Sequence, residues 1–213
     1  MSEFQENENK PLNPTETATV VILTIFFGAM IFASLFKEFS IYKLSVPIFI
    51  VSWAVLLMIH EFGHAIMAKL VGWHVDKVSI GTGRLIGVKK ICGLETEFRA
   101  IPLSGYVLPR PADLVKPQLK NFLIYFAGPG IELFLVAVLW SFTGSEVLFQ
   151  RQPELWIITI QTFCSAAVFG AFVNLIPLPF ESGHGKKTPS DGLGMILSWQ
   201  IPDSEYAKWI EKD

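Results

Sequence analysis

The sequence is short of charge: Asp, Glu, Lys and Arg supply 17% of its 213 residues, while apolar residues supply 51%. That balance excludes an ordinary soluble domain, in which about a quarter of residues are charged. Nor is there a basic surplus. The formal net charge is −2, and the basic residues do not interleave with aromatics, which excludes nucleic acid as a partner. Cysteine is scarce as well. Cys92 and Cys164 lie far apart without Cys-x-x-Cys spacing, so a disulfide framework and a cysteine zinc site are excluded and both read as packing residues. There is no internal repeat, and the only biased patch is the Gly/Ser/Lys/Pro stretch at 182–190.

What the sequence does have is long apolar runs, at 17–36, 44–68, 121–143 and 155–180. Each approaches or exceeds the length a helix needs to cross a ~30 Å hydrocarbon layer. The expectation is a mainly α, integral-membrane chain with four transmembrane helices. The first run follows a polar, acidic stretch rather than a basic one and lacks a small-residue cleavage site, so it reads as a retained helix, not a signal peptide. The chain then divides into a tail at 1–16, a first helix and loop at 17–43, a membrane core at 44–195 and a C-terminal tail at 196–213.

Four spans put the N-terminal tail, the connection 69–120 and the C-terminal tail on one side. That side carries 14 of the Lys and Arg residues against three opposite, Lys37, Lys43 and Arg151. Basic residues favour the cytoplasmic side, so both termini are expected there, in a multi-pass protein of the plasma (inner) membrane. Trp73, Trp140 and Trp156 at run ends, and His74, are expected at the interface. Between about 75 and 108 the period changes to two: Val78 and Ile80 alternate with Lys77 and Ser79, and Thr96 and Phe98 with Glu95, Glu97 and Arg99. Three or so short strands, punctuated by Gly81, Gly83, Gly87 and Gly93, are expected to form a small cytoplasmic sheet or hairpin.

The second run contains His60-Glu61-Phe62-Gly63-His64, the HExxH spacing. Residues four apart share one helix face, so both imidazoles can reach one ion, and Glu61 stands one step round the axis. That pattern suits a single Zn2+, with Glu61 as general base on a zinc-bound water. Ionisable residues inside a spanning helix are expensive unless they face a partner or a cavity, which favours a functional reading. Two histidines leave a catalytic zinc one protein ligand short. The fourth run breaks at Pro177 and Pro179, and Ser190-Asp191-Gly192 follows, so a carboxylate could return from there to complete the site.

These features together resemble the site-2 protease family of intramembrane zinc metalloproteases, peptidase family M50. The resemblance covers about 44–195 and rests on the HExxH helix, Ile101-Pro-Leu-Ser-Gly-Tyr-Val107, Ala127-Gly128-Pro129 at the start of the third helix, and Asn174-Leu-Ile-Pro177 with Asp191-Gly192. It implies a three-helix catalytic core, preceded here by an N-terminal helix, with a membrane-associated strand region and cleavage of transmembrane protein or peptide substrates. Ser104-Gly105 stands where the family has Gly-Gly, and Glu132 stands where many members have Asn. The family's compact NxxPxxxxDG is opened by eleven residues, 180–190.

Asp191 is the expected third ligand, because the Asp-Gly pair is intact and an apolar stretch resumes at 193–199; Glu181 and His184 are the alternatives. Asn174 and Glu132 are candidates for contact with substrate or transition state, and each has a structural alternative in interhelical hydrogen bonding. A strand edge at 95–107 could hold unwound substrate by backbone pairing. No stretch is long enough for an added PDZ domain, so substrate selection is expected to lie elsewhere. Two other functions fit the residues: an inactive relative that binds membrane partners, or a membrane metal-binding or transport protein.

Overall fold

The computed structural model describes 39–181 and 187–211, with scattered positions between 22 and 37. The expected tail at 1–16 and most of the first expected span lie outside the described residues. The chain divides into two compact units, Met1–Leu44 and Ser45–Asp213. In the first, a 3-10 turn at Ile41–Leu44 is followed back to the preceding segment by Lys43, whose Nζ donates to the carbonyls of Ser34 and Lys37 at 2.6 and 2.7 Å.

The second unit holds the candidate site. Its helices are α1 (Ser45–Leu70), α2 (Pro117–Phe149) and α3 (Leu155–Leu175). Three stretches, Ile41–Leu70, Pro117–Phe149 and Leu155–Leu175, are long and apolar enough to cross a membrane. Four were expected; three are found among the described residues. The inner face of α1 repeats every four residues through Ser52, Leu56, His60, His64 and Ala68, the helical spacing of one stripe. Small residues let the helices approach: Leu56 packs on Ala166 and Ala167 of α3. Their outer faces present Ile50, Phe134, Phe142, Phe169 and Phe172, an apolar exterior suited to lipid. The α2 helix starts earlier than the apolar run, at Pro117, so Pro129 stands inside it, and Gly144 interrupts it with φ 78° and ψ 169°.

The polar connection forms two long strands rather than three short ones, β1 (His74–Ile91) and β2 (Leu94–Arg110), antiparallel and joined by the left-handed pair Cys92-Gly93. Both strands fold back on themselves. Val78, Ser79 and Ile80 pair with Val107, Tyr106 and Gly105 on one side and with Thr96, Glu97 and Phe98 on the other. The bend falls at Gly81, whose φ of 91° is strained for any side chain and where a Cβ would meet the Arg99 and Ile101 carbonyls at 2.9 Å. Thr96, Glu97 and Phe98 also pair with Lys89, Val88 and Gly87. The edge expected at 95–107 is therefore interior at its start, and the part with a partner on one side only runs from Gly105 to Arg110. The sheet docks on α1 through Val78, Ile80 and Leu94, which bury Ala65 and flank Leu57 and Phe62.

Proline ends α3. Ile176, which precedes Pro177, takes ψ 122°, and the helix stops at Leu175. A short ladder follows, β3 (Pro179–Glu181) with β4 (Lys187–Pro189), then α4 (Asp191–Ser198) and α5 (Asp203–Ile210). The C-terminal segment packs back on the helices. Tyr206 is fully buried against Ala68, Trp73 and Ile124, accepts from Asn121 Nδ2 at 3.2 Å and donates to the Ser198 carbonyl at 3.3 Å. Trp73, expected at the interface, is thereby buried against the protein, whereas Trp140, Trp156 and His74 are exposed.

Candidate metal centre

Two turns of α1 carry His60, Glu61 and His64 into the interior, all buried. The Nε2 atoms of His60 and His64 are 3.1 Å apart. The Nδ1–H of His64 donates to the Ile124 carbonyl at 2.6 Å, which leaves its Nε2 lone pair free. Gly128 of the Ala-Gly-Pro sequence makes the space. A Cβ there would overlap His64 Nε2 and lie 2.6 Å from His60 Nε2, so α2 can approach the imidazoles only through glycine.

Asp191 comes from the far side of the break. Oδ2 is 2.9 Å from His60 Nε2 and Oδ1 is 3.2 Å from His64 Nε2. The eleven-residue expansion does not displace it, because Pro179 pairs with Pro189, Phe180 with Thr188 and Glu181 with Lys187, which brings the two ends of the insertion together. Ser190 seals the base. Its hydroxyl donates to the Ile176 carbonyl at 2.7 Å and accepts from the Leu178 and Leu193 amides, each at 3.1 Å, so it also caps α4. Asp191 thus enters at the first turn of α4.

Each of His60, His64 and Asp191 offers one ligand atom, and these lie within 4.8 Å of one another. Donors ~2.0–2.1 Å from a tetrahedral ion sit about 3.3 Å apart. The spacings of 3.1, 2.9 and 3.2 Å are close to that, and the donor set is that of a catalytic zinc site. Glu61, Glu132 and Asp191 also concentrate carboxyl groups where little water reaches, a charge that a divalent cation offsets. The residues present therefore fit the metal.

Glu61 faces the sheet. A Cβ on Gly105 would lie 2.6 Å from its Oε1, so β2 crosses directly beside the carboxylate. Glu132 projects from α2 behind His60, its Oε2 3.3 Å from His60 Nδ1. Asn174 is in the last turn of α3 and partly exposed. Glu181 belongs to β3 through its backbone; its side chain, and His184 entirely, lie outside the described residues. Sequence reasoning did not single out the Ile124 carbonyl, Ser190 as a clasp or Gly128 as a spacer. Ser190 had a signal, a serine immediately before a helix start.

The buried HExxH cluster thus lies among three helices that are each long and apolar enough to cross a membrane. Residues 48–151 match the model of peptidase family M50. Among similar proteins are two named "Putative zinc metalloprotease". The one from Clostridium acetobutylicum is 36% identical over 47% of this chain and 32% of its own, and the one from Synechocystis is 36% identical over 55% and 36%. The regulator of sigma-E protease RseP of Escherichia coli is 40% identical over 34% of this chain and 17% of its own. The chain spans about a third of the length of the first two relatives.

Proposed function

We propose that this chain is an intramembrane zinc metallopeptidase that hydrolyses peptide bonds of transmembrane substrates. The observation that carries the reading is the convergence of His60, His64 and Asp191 beside Glu61, at the depth of a membrane helix and from opposite ends of the core. His60, His64 and Asp191 would hold one Zn2+. Bound there, the ion supplies Lewis acidity to the scissile carbonyl and acidifies the attacking water. Glu61 takes the proton of that water as it adds to the carbonyl carbon, then delivers it to the departing amine as the C–N bond breaks. Buried walls limit solvent, which strengthens each of these electrostatic contacts.

A helical substrate hides its peptide bonds, so it must be extended before hydrolysis. The Gly105–Arg110 edge, which begins beside Glu61, is suited to pair with such a segment through backbone hydrogen bonds. The sheet and both termini lie on the cytoplasmic side of the plasma (inner) membrane in this reading, because the basic residues are concentrated there. The direct test is Glu61→Gln. It removes the base and no ligand, so zinc is retained while cleavage of a model transmembrane substrate falls by about 10²-fold or more. Zinc loss, or undiminished cleavage, would remove Glu61 from the proposed role.

A further inference from the structure

We propose that Glu132 is a positioning residue for His60: its carboxylate accepts the Nδ1–H, holds the ring in the tautomer whose Nε2 can bind a metal, and so tightens metal binding. This rests on the metallopeptidase reading above. Glu132 is 3% exposed, and its Oε2 and His60 Nδ1 face each other at 3.3 Å, longer and less well aligned than an ideal hydrogen bond. Neither atom has a hydrogen-bond partner elsewhere among the described residues. The third helix leaves room for the carboxylate: a Cβ on Gly170 would come within 3.1 Å of Oε1.

The geometry separates this role from two others. Nδ1 and Nε2 lie on different sides of the imidazole, and it is Nε2 that faces His64 and Asp191. Glu132 therefore stands behind the ring, away from the ligand atoms, where it cannot share the same ion or reach a scissile carbonyl in front of it. His64 has a neutral carbonyl at the equivalent place, that of Ile124. The two imidazoles thus differ in their supports, and the anionic one makes His60 the more basic donor.

The test compares wild type, Glu132→Ala and Glu132→Gln, purified in detergent, by zinc competition against a chromogenic chelator and by the absorption spectrum of the cobalt(II)-loaded forms. Glu132→Ala is expected to weaken zinc binding by about 10–100-fold. Glu132→Gln keeps an acceptor oxygen without its charge and falls between the two. The cobalt bands stay at their wild-type energies, because the ligand set is unchanged. Wild-type zinc affinity in Glu132→Ala overturns the proposal; if that variant does not fold, wild-type affinity in Glu132→Gln overturns it instead. Cobalt bands shifted as by loss of a ligand also overturn it, since Glu132 would then be a ligand itself. Wild-type protein that takes up no zinc overturns the metallopeptidase reading along with this one, whereas zinc uptake abolished by His60→Ala but untouched at Glu132 overturns this one alone.

Discussion

Gly105 touches Glu61. A Cβ at position 105 would lie 2.6 Å from Oε1 and 2.7 Å from Cγ of that glutamate, and 2.6 Å from the Ser79 carbonyl. At this residue the strand meets the HExxH helix beside Glu61, and the contact joins the proposed base to the proposed substrate edge.

Gly105→Ala is therefore expected to push Glu61 from its place without disturbing the two imidazoles. A displacement near 1 Å can cost on the order of 10²-fold in rate. Turnover of a model transmembrane substrate should fall at least about tenfold while zinc content stays at the wild-type level. Normal turnover would mean that Glu61 does not need its present position.

Proline substitutions along Gly105–Leu108 test the edge. At positions whose N–H points away from β1, proline deletes a donor to an incoming strand but no bond of the sheet. Cleavage should slow with zinc retained. The same substitution at Thr96 or Glu97, which pair on both sides, should unfold the sheet instead. Turnover that is unchanged at every edge position would remove backbone pairing from the account.

His60, Glu61 and His64 were readable because helical spacing alone puts them together. Asp191 was readable from its Asp-Gly pair, but its return depends on the Pro179–Pro189 pairing and the Ser190 clasp, which are tertiary facts. Glu132 showed only as an acid in a helix; which ring it would meet depends on how α2 is rotated against α1. The strand period was legible, yet the double pairing of Val78–Ile80 was not, since a fold-back leaves the alternation unchanged. The C-terminal segment was read as a tail, although Tyr206 and Trp209 lie three apart and form the apolar face that α5 docks.

On the sheet, Lys77 donates to Glu97 and holds its carboxyl below the ordinary value of 4.5; burial opposes this and Arg99 adds to it. A depressed folded pKa adds stability above the unfolded value and loses it as pH falls through the folded one. Glu97→Gln should lower stability at pH 7 by on the order of 1 kcal/mol. The gap between wild type and variant should close below about pH 4. A gap that is constant from pH 7 to pH 3 would contradict the ion-pair role.

Orientation is tested with reporter fusions. One after Asp213 and one near Val88 should both read as cytoplasmic, while one near Ser145, towards the C-terminal end of α2, should read on the opposite side. An external signal at Val88 would reverse the proposed orientation.

The most direct measurement is the zinc content of purified wild type beside Asp191→Ala. Two histidines alone hold zinc weakly, and the carboxylate supplies both a donor and a compensating charge. The account predicts about one zinc per wild-type chain and its loss from Asp191→Ala, with the variant still folded. Zinc retained at the wild-type level in Asp191→Ala would contradict the proposed centre.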